Sequence, residues 1–176
     1  MSAKAWIGGD IAVDGVTNDE LHARVLATLP NATWHTGAAD YHMTLLYHGH
    51  PASAALESVL EEHNLVATIL RGHINDIEAI VTADGVFIVL SVVSTDAQAL
   101  HARVRADVTL ATGQEPRMKP HLGPGETHMY RYDYHPHITL AKYVDPTLLE
   151  PDRAALAREA DACRGRAVTI GPFRLH

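Results

Sequence analysis

The sequence predicts one domain of mixed helices and strands, built from two copies of a strand–helix–strand–helix–strand unit. Three observations support this prediction. Residues 42–45 read His-Met-Thr-Leu, and residues 137–140 read His-Ile-Thr-Leu. The pentapeptide Leu-His-Ala-Arg-Val stands at residues 21–25 and again at residues 100–104. Each tetrapeptide lies in a segment that suits a β-strand, and each pentapeptide lies in a segment with helical periodicity.

The first copy covers roughly residues 1–80. It begins with a predicted strand at Trp6–Val13, and the Thr-Asn-Asp-Glu capping box at residues 17–20 then opens a helix that runs to about residue 29. Residues 31–40 are expected to form a loop, and residues 41–48 the first strand that carries His-x-Thr. Apolar residues at helical spacing predict a helix over residues 51–63, and residues 65–80 are strand-like.

The second copy covers roughly residues 81–176 and repeats this order. A buried strand is predicted at Gly85–Val93, and Thr-Asp-Ala-Gln at residues 95–98 caps a helix that runs to about residue 110. Residues 113–127 contain three prolines and predict a long loop. The second His-x-Thr strand is expected over residues 131–143, a helix over residues 151–163 and a closing strand at Ala167–Leu175.

The spacing of the repeats locates an insertion. The pentapeptides and the strands before them are offset by 79 residues, whereas the His-x-Thr motifs, at 42 and 137, are offset by 95. About 16 extra residues therefore stand before the second motif, in an inserted loop at about residues 113–130. The alternative is that Leu-His-Ala-Arg-Val recurs by coincidence in two alanine-rich helices. Duplication is favoured because the strand order, the helix order and the helix caps agree together.

Composition narrows the class of protein. The chain has 176 residues, of which 47% are hydrophobic, and a formal charge of −7. This negative charge argues against a protein that binds long nucleic acid through many phosphates, but it permits a small anionic ligand in a local pocket. The single cysteine, Cys163, fits a reducing compartment. There is no 18-residue apolar run and no apolar segment typical of a signal peptide, so we expect a cytoplasmic monomer that does not bind membranes.

The two motifs predict an acid–base site. In a strand, residues i and i+2 share a face, so His42 and Thr44 would point one way, and His137 and Thr139 would do the same in the second copy. A pseudo-twofold axis would make the two pairs face one another across a cleft. One histidine can take a proton while the other gives one, and the threonine hydroxyls can donate to phosphoryl oxygens. This chemistry needs no metal and no cofactor.

Here the sequence resembles a known family. Paired His-x-Thr motifs mark the two-histidine (2H) phosphoesterase superfamily, which includes LigT-like RNA 2′,3′-cyclic phosphodiesterases. The matching stretches are Tyr-His-Met-Thr-Leu-Leu-Tyr-His-Gly at residues 41–49 and Pro-His-Ile-Thr-Leu-Ala-Lys-Tyr at residues 136–143. The predicted order of elements follows the family over nearly the whole chain.

The resemblance implies an α+β fold with two lobes, in which two antiparallel sheets line a central cleft and the helices lie outside. It implies that His42 and His137 are the catalytic pair and that Thr44 and Thr139 contact the phosphate. It also implies a ribose phosphodiester as substrate: a 2′,3′-cyclic phosphate, a 2′–5′ or 3′–5′ oligonucleotide, or a cyclic oligonucleotide signal that a phage enzyme would destroy.

Five further residues are candidate substrate contacts. His48 and Tyr143 occupy equivalent positions at the far end of the two motif faces. Arg131 and His135 share the face of His137 if the strand is regular. Trp34 precedes the first motif, where it could stack on a base or close the edge of the core.

Two other functions remain open from sequence. A protein of the same fold could bind a nucleotide without cleaving it, although such a sponge would have no need of an acid–base pair. A metal site could combine His135 and His137 with His48 or His50, but no carboxylate partners accompany them.

Overall fold

The computed structural model describes residues 4–116 and 134–176. Within these ranges the strands are β1 (Trp6–Val13), β2 (Trp34–His35), β3 (His42–Tyr47), β4 (Leu70–Thr82), β5 (Gly85–Val93), β6 (His137–Tyr143) and β7 (Ala167–Leu175). The helices are α1 (Asn18–Thr28), α2 (Ala54–Glu62), α3 (Thr95–Thr112) and α4 (Arg153–Cys163), with 3₁₀ turns at Ala38–Asp40, Leu65–Ala67 and Pro146–Asp152.

The strands form one antiparallel sheet that closes on itself. Its order is β2-β6-β3-β1-β7-β4-β5, and β5 pairs with β6 to complete the ring. The predicted α+β class with antiparallel strands is therefore confirmed. The strands of the two expected sheets are joined edge to edge into this single barrel, because pairing β5 with β6 leaves neither strand with an open edge.

The order of strands in the ring has a twofold symmetry. Exchanging β1 with β5, β3 with β6 and β4 with β7 reproduces the same ring. The exchange relates the elements that the repeat analysis placed at equivalent positions, and the axis passes between β3 and β6. The division into two lobes stays a prediction, since the hydrophobic core is one continuous cluster that draws on both halves of the chain.

Local sequence signals explain where several elements begin and end. The Thr17 side chain accepts from the Glu20 backbone N–H, and the Glu20 carboxylate accepts from the Thr17 N–H, so the predicted capping box is present. Ser94 caps α3 from one residue earlier than predicted, where its side chain accepts from the Ala97 backbone N–H. Gly113 ends α3 in the left-handed conformation at φ 67°, which glycine adopts without strain.

Several predicted elements differ in extent from those of the structure. Residues 65–67 form a 3₁₀ turn, so β4 starts at Leu70. The loop at 31–40 contains the short strand β2. The second motif strand begins at His137, because Pro136 has no N–H to give to a strand ladder. Most of the predicted inserted loop lies outside the described residues, as do residues 131–133.

The helices pack across the duplicated units. Helix α1 contacts β6, the motif strand of the second copy, and α3 contacts β3, the motif strand of the first. Each copy therefore covers the other copy's motif strand with its first helix. None of the helices in residues 4–116 and 134–176 is long and apolar enough to cross a membrane.

Candidate active site

The two His-x-Thr motifs lie on neighbouring strands. Strands β3 and β6 are antiparallel and pair at Met43 and Ile138, which are the central residues of the two motifs. In this register the histidine of each motif lies nearest to the threonine of the other. The central residues are fully buried, whereas the histidines and threonines are half-buried.

All four motif side chains face one cavity. The cavity has a volume of about 620 Å³, and its walls include His42, Thr44, His137 and Thr139. A cavity of this size can hold a nucleotide-sized ligand. The remaining wall is largely apolar and includes Ile80, Phe87 and Val89 together with the aromatic residues described below.

Both motif histidines are held in the same way. The Nδ1 atom of His42 lies 2.8 Å from the carbonyl oxygen of Asp40, and that of His137 lies 2.7 Å from the carbonyl oxygen of His135. A carbonyl can only accept, so Nδ1 carries the proton and donates in both rings. In the neutral form Nε2 is then the basic nitrogen, and each ring is oriented for proton transfer through it.

A β-bulge in each motif strand changes which residues face the cavity. The pairing of β3 with β1 shifts between Gly8, which pairs with Thr44, and Ile7, which pairs with Leu46. The pairing of β6 with β5 shifts in the same place, between Thr139 and Ala141. Beyond each bulge the alternation is reversed, because one extra residue occupies the strand.

This reversal contradicts two of the predicted substrate contacts. His48 is 1% exposed and Tyr143 is fully buried, and neither reaches the cavity. The Tyr143 hydroxyl donates to Asp152 at 2.5 Å, and burial, with Asp152 beside it, raises the pKa of Tyr143. The prediction was wrong because it continued a strict alternation past Thr44 and Thr139.

The bulges bring Tyr47 and Lys142 to the equivalent positions. Tyr47 is half-buried and lines the cavity. The Lys142 ammonium lies 5.0 Å from the centre of the Phe87 ring, a cation–π contact beside the cavity wall. Reading the two stretches with one bulge after each His-x-Thr would have identified both residues.

The other predicted contacts have different outcomes. Trp34 is 49% exposed and lines the cavity, rather than closing the edge of the core. His135 also lines the cavity, and its Nε2 lies 3.1 Å from Glu78 Oε2. Arg131 lies outside the described residues.

Trp6 is a cavity residue that the sequence analysis missed. Its indole lies 4.5 Å from the His42 ring, centre to centre, and stacks on His176 at 4.0 Å with an interplanar angle of 9°. A Cβ atom at Gly8 would overlap the Trp6 ring, so glycine is what lets the indole lie along β1 beside His42. Burial, followed by the nearby His42, lowers the pKa of His176.

The described residues show no metal-binding group. Within residues 4–116 and 134–176, no three His, Cys, Asp or Glu side chains converge as metal ligands would. The combination of His135 and His137 with His48 or His50 does not form, because neither His48 nor His50 lines the cavity that His135 and His137 share.

Two buried histidines make the fold sensitive to acid. Burial lowers the pKa of His48 and of His101, so the folded protein resists protonation that the unfolded chain accepts near pH 6.5. Their contribution to stability is complete above about pH 6.5 and decreases as the pH falls. The midpoint of thermal unfolding should therefore be lower at about pH 5.5 than at about pH 7.5. The difference between the two midpoints should be smaller in the His48→Phe variant, which has one buried histidine fewer. An equal loss in both proteins would contradict the role of His48.

No protein-family model and no curated protein matches the sequence. Among solved structures, a phosphoesterase superposes with a TM-score of 0.50 at 16% identity, over 81% of this chain and 74% of its own. LigT of E. coli in complex with NADP⁺ superposes with a TM-score of 0.48 at 16% identity, over 81% of this chain and 73% of LigT. The complex of LigT with 3′-AMP superposes with a TM-score of 0.47 at 17% identity, over 81% of this chain and 74% of LigT. The likeness to the phosphoesterase shows a shared fold, which agrees with the α+β class expected from the sequence resemblance.

Proposed function

We propose that this chain is a metal-independent phosphodiesterase of the two-histidine type. The observation that carries the proposal is the convergence of both His-x-Thr motifs on one cavity, with both imidazoles held by Nδ1 and so directed through Nε2. A site that only binds a phosphate, without cleaving it, would not require two oriented imidazoles. An acid–base reaction does require them.

The reaction would proceed by in-line displacement at phosphorus. One neutral imidazole takes a proton from water, or from the ribose 2′-hydroxyl, while that oxygen forms a bond to phosphorus. The bond from phosphorus to the leaving oxygen breaks, and the second imidazole, as imidazolium, gives its proton to that oxygen. The Thr44 and Thr139 hydroxyls donate to the non-bridging oxygens, where charge develops. Either histidine can serve as the base, since both have the same tautomer.

The substrate would be a small phosphodiester that contains ribose. The candidates are a 2′,3′-cyclic phosphate, a short 2′–5′ or 3′–5′ oligonucleotide, and a cyclic oligonucleotide signal, the last as a phage anti-defence activity. Among the described residues, the charged groups on the cavity wall, apart from the histidines, are Lys4, Arg105 and Asp40. This small excess of positive charge suits one or two phosphates better than a long polyanion.

A panel of substrates tests the proposal. The protein, treated with a chelator, is incubated with 2′,3′-cyclic nucleotides, with 2′–5′ and 3′–5′ dinucleotides and with cyclic oligonucleotides, and the products are separated and weighed by mass spectrometry. We expect turnover of at least one class without added metal. Recovery of every compound intact, with tight binding, would instead support a sponge, and dependence on a divalent metal would refute the mechanism.

Trp34 is proposed as a stacking surface for a base. Its exposed indole borders the cavity, and base–aromatic stacking contributes about 1–3 kcal/mol per base. The Trp34→Ala variant should raise KM for a nucleotide substrate by roughly tenfold and change kcat little. Trp34→Phe should keep most of the affinity. An unchanged KM in Trp34→Ala would show that the base lies elsewhere.

A further inference from the structure

At the bulge in β3, two backbone carbonyl groups accept hydrogen bonds from side chains. The Thr44 carbonyl accepts a hydrogen bond of 3.0 Å from the Tyr134 hydroxyl. The Leu45 carbonyl accepts one of 2.6 Å from Nδ1 of His101. Both donors come from the second half of the chain, 90 and 56 residues away.

The same two carbonyls are capped in the other motif strand. The Thr139 carbonyl accepts from the Thr36 hydroxyl at 2.8 Å, and the Leu140 carbonyl accepts from the Thr36 N–H at 2.9 Å. Thr36 follows β2 and is 4% exposed. Equivalent carbonyls are thus satisfied by different residues in the two copies. Both copies therefore have hydrogen-bonded carbonyls at the bulge, but the donors are His101 and Tyr134 in one copy and Thr36 in the other.

The two side chains that bond to the β3 carbonyls stack on one another. The rings of His101 and Tyr134 stack with centres 4.1 Å apart and an interplanar angle of 4°. Burial lowers the pKa of His101 and raises the pKa of Tyr134, so the ring stays neutral and the hydroxyl keeps the proton that it donates. A neutral imidazole whose Nδ1 faces a carbonyl carries its proton on Nδ1.

We propose that His101 and Tyr134 are positioning residues that stabilise the β3 bulge and thereby orient the His42 and Thr44 side chains towards the cavity. The inference deepens the proposed function, on which its kinetic part rests. Bulges beside reacting groups direct side chains, and a bulge whose carbonyls lose their donors is free to relax into regular pairing. A displacement of about 1 Å at the reacting groups can cost up to about a hundredfold in rate.

Tyr134→Phe isolates the hydroxyl while keeping the ring stack. We expect kcat to fall about tenfold with KM within about twofold, because the groups proposed to bind the substrate remain, as does the ring of Tyr134 on the cavity wall, while the orientation of His42 and Thr44 changes. Tyr41→Phe is the matched control. Tyr41 is 3% exposed and precedes His42, and its hydroxyl has no hydrogen-bond partner among the described residues, so its removal should leave kcat unchanged.

His101 offers a second, independent pair of variants. His101→Leu removes the donor to Leu45 and should lower kcat as Tyr134→Phe does. His101→Asn places an amide N–H near the position of Nδ1 and should restore much of the rate. If Leu and Asn variants of equal thermal stability have equal kcat, the hydrogen bond does not position the site and the inference is wrong.

Backbone NMR separates this inference from the proposed function. Tyr134→Phe should shift the amide resonances of residues 44–46 and the His42 ring signals, and Tyr41→Phe should leave residues 44–46 nearly unchanged. If the wild type hydrolyses no phosphodiester, the proposed function fails, while these shifts still decide whether the pair holds the bulge. Unshifted resonances in Tyr134→Phe would overturn the inference whatever the activity.

Discussion

Replacement of His42 or His137 by alanine should lower kcat by about 10²–10⁴-fold, because in the proposed reaction each variant loses the group that moves one of the two protons. The fold should be retained, since both rings are only half-buried and each makes its hydrogen bond to a carbonyl two residues away. The double variant should be little worse than either single variant, because an acid and a base that act together lose their function together. Steady-state kinetics on the substrate found in the panel provides the measurement.

The control for these variants is His73→Ala. His73 is exposed on β4 and is not part of the cavity wall, so its removal should leave kcat unchanged. Full activity in either motif variant would show that the cavity does not use this acid–base pair. Far-UV circular dichroism of all the variants would show whether a loss of activity reflects unfolding.

Asp152→Ala should destabilise the protein by about 3 kcal/mol, the largest stability effect that we expect of a polar substitution. The Asp152 carboxylate is 4% exposed and accepts from the Tyr143 hydroxyl at 2.5 Å. It also accepts from the Asn31 backbone N–H at 3.2 Å and from the Asn31 side chain at 2.7 Å. Alanine would leave the buried Tyr143 hydroxyl without its acceptor, and loss of both hydrogen bonds from Asn31 would release the turn before β2 from the start of α4.

Chemical denaturation of Asp152→Ala and Asp161→Ala measures this effect against a matched change. Asp161 lies on α4 with its side chain 73% exposed and pairs with Arg164 at the surface, so its loss should cost less than about 1 kcal/mol. The loss of stability in Asp152→Asn should fall between those of the two alanine variants, since the amide keeps one acceptor oxygen. Equal midpoints for the two alanine variants would show that the buried contacts of Asp152 add nothing to stability.

The shared face of each motif could be predicted because it depends on local geometry. A strand alternates its side chains whatever its surroundings, so His42 and Thr44 had to share a face, as did His137 and Thr139. The capping box at Thr17 was predictable for the same reason, since the side chains of Thr17 and Glu20 each accept from the other's backbone N–H. The ring order of the strands agrees with the repeat that the pentapeptides indicated.

Alternation failed as a guide two residues after each motif. Leu45 and Leu46 are both buried, as are Leu140 and Ala141, because a bulge opposite β1 and another opposite β5 each add one residue. Such a bulge depends on how a neighbouring strand pairs, and the sequence of one strand does not report it. His48 and Tyr143 were assigned to the cavity for this reason, and Tyr47 was missed.

The sequence by itself determined the chemistry available to this protein: two imidazoles, each with a hydroxyl on the same strand face, and no cysteine framework. Those features are properties of short segments, and short segments obey strand and helix geometry. The tertiary structure decided that the two motif strands are neighbours, that Trp6 lies against His42 and that His101 and Tyr134 cap the first bulge. These contacts join residues 36 to 95 positions apart, and only closure of the sheet brings them together.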